Sequence, residues 1–314
     1  MKVINQVVTE SWAMYHGDAV EVIKGIPDNS IHFSIFSPPF SSLFTYSDSD
    51  RDMGNSKNDI QFYRNFRYLT KELFRVVMPG RLVAVHCMNL LATIGREGYI
   101  GMKDFRGDII RSLKWAGFYH HSEVVIWKDP LLQAVRTKAL SLAHKQIVKD
   151  SAMCNQGFPD YIVVFRKPGK NPEPVSHETG FMKYVGTEQE PKKPKLKNQR
   201  VNKYSHEVWQ RYASPVWWDI QQSNTLNIKM AREGNDERHV CPLQLQTIER
   251  CLELWTNPED TVLSPFAGIG SEGYQSLLCG RKFIGIELKE SYYNCAVSNL
   301  ESVDNQQEQL RLFK

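Results

Sequence analysis

The stretch "VLSPFAGIGSEG", residues 262–273, places Gly268, Gly270 and Gly273 between an apolar run and a helix-like segment. Glycines spaced G-x-G-x-x-G at a strand-to-helix turn let the backbone approach a nucleotide-like ligand closely. The next apolar run, "FIGIEL" (283–288), ends at Glu287, a carboxylate able to accept hydrogen bonds from ribose hydroxyls. The glycines alone are a weak signal. With strand, helix and terminal Glu around them, the stretch reads as a cofactor loop. Only one more helix–strand–helix follows the loop, and a doubly wound sheet needs several more strands. They must come from the N-terminal half, so the chain reads as circularly permuted, with its nucleotide half last. A nicotinamide dehydrogenase, which opens on such a loop, does not fit this order.

Residues 15–165 supply the missing strands, alternating strand-like and helix-like segments in an α/β pattern. "HFSIF" and "RLVAVHC" read as strands. "DIQFYRNFRYLTKELFRVV" sets Phe62, Phe66, Leu69, Leu73 and Val77 at helical spacing and is stopped by Met78-Pro79-Gly80. "MKDFRGDIIRSLKWAG" is a helix closed by Gly117, and "YHHSEVVIW" and "PDYIVVFRK" are further strands. In "YHGDAVEVI", Asp18 is either a cofactor-pocket acid or the N-cap of the helix that follows. From about 166 to 238 the texture turns to Pro, Lys, Gln, Asn and Trp without steady periodicity, and order returns with "LQLQTIERCLELW".

Strand 31–36 runs into Ser37-Pro38-Pro39-Phe40. In an open parallel sheet, chemistry collects beyond the carboxyl ends of the strands. Two prolines fix φ and remove two donors, leaving carbonyl oxygens rigidly aimed. Ser37 Oγ and the Pro38 carbonyl can then both accept from one NH2 group, and the Phe40 ring can stack on a planar base. Such a pocket holds an aromatic amine with its nitrogen lone pair drawn out of conjugation, ready to attack an electrophilic carbon.

Ser-Pro-Pro-Phe, followed downstream by "PFAGIG" and "GIE", resembles the amino-group DNA methyltransferases, which act on cytosine N4 or adenine N6. The motif order matches the permuted beta-type group, with a flavour of phage or prophage solitary members. The resemblance implies a Rossmann-like class I methyltransferase sheet and S-adenosyl-L-methionine as cofactor. It divides the chain into a catalytic half at 1–165, a target-recognition insertion at 166–238 and a cofactor-binding half at 239–314. It assigns catalysis to Ser37, Pro38, Pro39 and Phe40. Cofactor contacts fall to Asp18, Cys241, Pro242, Ser264, Phe266, Ala267, Gly268, Gly270 and Glu287, with His239 nearby. The family usually has Asp where Ser264 stands, so the methionine ammonium must find other acceptors. Cytosine N4 is the expected target, with adenine N6 the alternative. RNA or protein methylation, and a catalytically inactive DNA-binding relative, are the weaker readings.

The chain's net charge of +4 says little about partners, but its distribution says more. "LLQAVRTKALSLAHKQIVK" (131–149) and "PKKPKLKNQRVNK" (191–203) are basic without an acidic residue. They offer Arg136, Lys138, Lys145, Lys192, Lys193, Lys195, Lys197 and Arg200 to the phosphates of double-stranded DNA. In "SHEVWQRYASPVWWDI", Trp217 and Trp218 are expected to pack rather than read bases. Six scattered cysteines without a C-x-x-C pair suit reduced thiols, and His239-x-Cys241 has no matching second pair, so no metal is expected. The opening "MKVINQVVTESW" lacks a signal-peptide pattern, which points to a cytoplasmic enzyme in a bacterial or phage-infected cell. A homodimer is compatible with all of this, and a companion nuclease is not legible.

Overall fold

The computed structural model describes residues 2–40, 52–92, 94–137, 140–192, 202–227 and 242–312. In chain order the strands are β1 (Asn5–Val8), β2 (Trp12–His16), β3 (Ile31–Phe36), β4 (Val77–Cys87), β5 (Leu90–Ala92), β6 (Gly101–Lys103), β7 (Tyr119–Ile126), β8 (Asp160–Arg166), β9 (Val216–Trp217), β10 (Thr261–Ser264) and β11 (Lys282–Glu287). The helices are α1 (Ala19–Ile23), α2 (Asp59–Val76), α3 (Ile94–Glu97), α4 (Phe105–Ala116), α5 (Pro130–Thr137), α6 (Lys145–Asp150), α7 (Lys203–Tyr212), α8 (Leu245–Trp255), α9 (Ser271–Leu278) and α10 (Glu290–Leu312).

One large sheet runs β1-β2-β11-β10-β3-β4-β8-β7-β9, and β5 pairs with β6 as a separate hairpin. From β2 to β4 every pairing is parallel, whereas β8 is antiparallel to both its neighbours. Helices cover both faces, so the central strands bury both sides and read as apolar runs rather than alternating ones. On one face Phe62, Phe66, Leu69 and Leu73 of α2 meet Ile109 and Leu113 of α4 over Val83, Val85 and Leu263. On the other, Ile248 and Leu252 of α8 join Ala296 and Leu300 of α10 over Phe33, Ile35 and Val262.

The helix read from 59 onward stops one residue earlier than its periodicity suggests. Val77 is already in β4, paired with Ile31, and a register shift before Phe33↔Leu82 absorbs Met78-Pro79-Gly80. Gly80 adopts φ +74° there, with the backbone of Asn171 where a Cβ would stand. A side chain fits neither the dihedral nor the space.

Between β8 and α8 the described residues form a second, smaller cluster. Phe181, Tyr184 and Val185 pack on Tyr204, Val208 and Tyr212 of α7. Arg250, wholly buried on α8, holds this cluster to the sheet. Its two terminal nitrogens each lie 2.9 Å from a different oxygen of Asp219, and its guanidinium sits 4.8 Å from the Trp217 ring centroid. Trp217 therefore packs, as expected, and its strand β9 extends the sheet beyond β7, whereas Trp218 is about half exposed. No described helix is long and apolar enough to cross a membrane. Removing one partner of a buried, bidentate ion pair strands the other charge. Asp219→Ala is expected to cost roughly 3–5 kcal/mol of stability in urea unfolding.

Candidate active site

Strands β10 and β3 are adjacent and parallel, with Leu263 opposite Ser34 and the Ser34 hydroxyl donating to the Leu263 carbonyl at 2.8 Å. Their carboxyl ends therefore release the glycine loop and the Ser-Pro-Pro-Phe segment side by side. The rings of Phe36 and Phe266 meet across this junction at 5.9 Å. Glu287 and His16 leave β11 and β2 at the same edge, paired in register.

On the cofactor side, Glu287 accepts from Gly268 N and from Lys289 N, both at 2.8 Å. Each oxygen keeps a lone pair for a ligand hydroxyl. Ala267 is buried and donates its backbone N–H to the Ile286 carbonyl, fixing the loop against β11. The two glycines, expected to do the same task, divide it. A Cβ on Gly268 would meet nothing within 4 Å, while one on Gly270 would press on Ala296 of α10 at 3.1 Å. Gly268 thus faces open space, and Gly270 serves the close approach of loop and helix. Ser264 Oγ is buried without a hydrogen-bond partner, an unmet demand that a polar ligand group would satisfy. Asp18 is the N-cap of α1, accepting from Val20 N at 2.8 Å. Pro242 is partly buried before α8, whereas Cys241 and His239 lie outside the described residues.

One acid at this end escaped the sequence reading. Glu272, in the first turn of α9, is buried, and burial raises its carboxyl from 4.5 to about 8. Burial likewise raises Glu287 to about 7, with the charge of Asp52 adding to the shift. Glu272 stands inside the quoted glycine stretch, but nothing in its spacing distinguishes a buried acid from a solvated one.

On the catalytic side, Ser37 is partly exposed and Pro38 buried, and Phe40 sets its ring edge-on to Phe105 at 5.7 Å. Phe36 pairs with Val85, which brings Ser37 beside His86, and Ser37 Oγ lies 2.8 Å from His86 Nδ1. His86 Nε2 faces Asp160 Oδ2 across 3.0 Å, and Lys128 Nζ reaches the same oxygen at 2.5 Å. Neither contact lies on a hydrogen-bond axis, and the histidine's is ionic only when its ring is protonated. Burial alone would raise the Asp160 carboxyl, but His86 and Lys128 override it and hold it below its ordinary value. The sequence offered a signal for this set, a histidine within the apolar "RLVAVHC" and an acid opening "PDYIVVFRK", yet neither was singled out.

Helices α5 and α6 lie in the connection from the end of β7 to the start of β8, which are paired at this same edge. Lys145 of α6 is exposed, as is Lys192 farther along the chain. The side chain of Arg136, and Lys138, Lys193, Lys195, Lys197 and Arg200, lie outside the described residues. At the opposite edge His32, Glu173 and Asp260 cluster. Thr261 N donates to His32 Nδ1 at 3.0 Å, so the hydrogen of a neutral ring is on Nε2 and points at Glu173. Arg81 engages Asp260, and the three form a polar latch with no lone pair free on the ring for a metal.

A largely parallel sheet that brings a glycine loop, a strand-end carboxylate and a Ser-Pro-Pro-Phe segment to one edge has the layout of a nucleotide-cofactor transferase. Residues 31–298 match the N6/N4 DNA methylase family, and the chain belongs to it. The type II methyltransferase M.BglI of Bacillus subtilis is 24% identical over 92% of this chain and 86% of its own length. Two solved structures share the fold. A DNA modification methylase of Thermus thermophilus, complexed with S-adenosyl-L-methionine, superposes with TM-score 0.64 at 19% identity, over 94% of each chain. The PvuII DNA methyltransferase, cytosine-N4-specific, gives 0.61 at 17% identity, over 95% of this chain and 92% of that one. The protein is accordingly an S-adenosylmethionine-dependent DNA methyltransferase of exocyclic amino groups. Glu287, Gly268 and Ser264 fit that cofactor, offering carboxylate oxygens, open space and an unmet hydroxyl.

The two glycines separate stability from binding. Gly270→Ala is expected to lower the melting temperature through its collision with α10. Gly268→Ala is expected to keep the fold better and to weaken S-adenosylmethionine binding in calorimetry. A second expectation concerns pH. The folded state holds a proton on Glu272 that the unfolded state has released between pH 4.5 and about 8, so stability falls as pH rises through that window. Glu272→Gln should raise the melting temperature at pH 8 and leave it nearly unchanged at pH 4.

Proposed function

We propose that the chain is a beta-type methyltransferase, permuted in order, that methylates cytosine N4 in double-stranded DNA. The observation that carries this reading is the parallel adjacency of β3 and β10, which sets Ser-Pro-Pro-Phe beside the cofactor loop although the two lie far apart in sequence. The target base is hidden in the duplex and must be flipped out, at a cost of a few kcal/mol. Phe40 replaces part of the lost stacking, roughly 1–3 kcal/mol by analogy with single-strand sites. Ser37 Oγ and the Pro38 carbonyl accept the two amine hydrogens and orient the nitrogen lone pair toward the cofactor side of the cleft. Glu287 and the Gly268 backbone hold the nucleoside end of S-adenosylmethionine, with Pro242, Ser264 and Phe266 toward its methionine end. The cofactor supplies an electrophilic methyl group, and transfer is direct, without a covalent link between protein and base.

Arg136, Lys138 and Lys145 would hold phosphates, and Lys192, Lys193, Lys195, Lys197 and Arg200 would extend the grip into the 166–238 segment, the proposed target-recognition region. Cytosine is favoured over adenine because a short, uncharged Ser37 requires close approach, which a pyrimidine makes more easily than a purine. The stated specificity of the PvuII enzyme supports the same choice. The test is single-turnover methylation of duplex DNA followed by nucleoside mass spectrometry. N4-methylcytosine is the expected product, and Ser37→Ala should lose on the order of 10²–10³-fold in rate while keeping DNA and cofactor binding. N6-methyladenine as the sole product would overturn the choice of base.

A further inference from the structure

Four segments of the chain converge on one line of side chains, Ser37 after β3, His86 in β4, Asp160 at the start of β8 and Lys128 after β7. Ser37 Oγ is 2.8 Å from His86 Nδ1, His86 Nε2 is 3.0 Å from Asp160 Oδ2, and Lys128 Nζ is 2.5 Å from that oxygen. A bare Nε2 lone pair 3.0 Å from ionised Asp160 would be repelled by it, so the ring hydrogen is assigned to Nε2, and Nδ1 is left to accept from the Ser37 hydroxyl. A serine that donates to histidine keeps both its own lone pairs for an incoming amine. The line therefore has a direction, running from the amine toward His86.

We propose that His86 receives the proton released in methyl transfer, through Ser37, with Asp160 and Lys128 fixing its tautomer. The inference rests on the amino-methylation reading above. The amine nitrogen forms its bond to the methyl carbon as the carbon–sulfur bond breaks, and that electron pair stays on sulfur. The nitrogen then carries one proton too many. That proton passes to Ser37 Oγ as the Ser37 hydroxyl proton passes to His86 Nδ1, and the resulting imidazolium later yields its proton to water. The positive charge lost at sulfur reappears on His86, beside a buried carboxylate that stabilises it. Lys128 prevents Asp160 from taking the proton itself, because a carboxylate paired with an ammonium is a poor base. Asp160 is 1% exposed, so its carboxylate is shielded from competing water.

His86 acts here through Ser37, as a positioning residue that also receives a proton, and the test must separate the two roles. His86→Asn keeps an oxygen able to accept from Ser37 but cannot take a proton. It should fold, bind S-adenosylmethionine and bind duplex DNA as the unmodified protein does, with KM for DNA little changed. Its single-turnover rate should fall on the order of 10²-fold or more. His86→Gly should be comparably slow, and added imidazole should restore part of the rate. A wild-type rate in His86→Asn overturns the proposal while leaving amino methylation standing; absence of transfer by the wild-type protein strikes the earlier reading instead. Nitrogen-15 NMR of the unliganded protein reads the tautomer independently of activity. Nδ1 unprotonated and Nε2 protonated is the expected state, and a proton found on Nδ1 overturns the relay.

Discussion

Strand β3 lies beside β10, and every functional feature of the molecule depends on that parallel pairing. The buried Ser34–Leu263 hydrogen bond joins positions 229 residues apart. Closing so long a loop costs conformational entropy, which grows slowly with length and is offset here by the apolar surface both strands bury on both faces. Once the pair forms, the glycine loop and Ser-Pro-Pro-Phe must leave the sheet together. With β11 and β2 on one flank and β4 and β8 on the other, all the polar groups of the site share one edge. The antiparallel setting of β8 matters for the same reason, because it brings the start of that strand, Asp160, to an edge where the other strands end.

The two halves of this edge treat buried acids in opposite ways. Glu272 and Glu287 sit by the glycine loop, where burial holds their protons on to unusually high pH. Asp160, equally buried, remains ionised because His86 and Lys128 face it. The first arrangement costs stability near neutral pH, and natural proteins accept such costs at functional sites. The second spends two further charged or polar groups to keep one carboxylate in a defined state. Burial is common to both, and the difference lies in which partners strand register supplies.

The segment between β8 and α8 shows how a chain without clear periodicity can still be fastened. Its aromatic residues form a small core of their own, and Arg250 with Asp219 ties that core to the helix that precedes the cofactor loop. Stacking of the guanidinium on Tyr212 and Trp217 adds to the contact. Movement of this segment against the sheet would break a buried ion pair, so it is held firmly at its base.

Local features of the sequence determined much of this. Apolar spacing at positions 62, 66, 69 and 73 gives α2, Gly117 closes α4, and the glycines at 268 and 270 permit the left-handed turns before α9. Ser-Pro-Pro-Phe and Glu287 could be proposed as site residues from sequence because proline rigidity and strand-end position are properties of adjacent residues. The short strand β9, the helix α7 and the charges of Arg250 and Asp219 could not, since their reason for forming is contact with distant partners. The same holds for the relay. Ser37 and His86 stand 49 positions apart, and neither residue type nor spacing says that their strands pair, or in which register. A shift of one residue would turn His86 to the other face of the sheet. The chain's own chemistry settled which groups it carries to the edge of the sheet, and tertiary register decided which of them meet, because a side chain's partners across strands are fixed by pairing and not by neighbours in sequence.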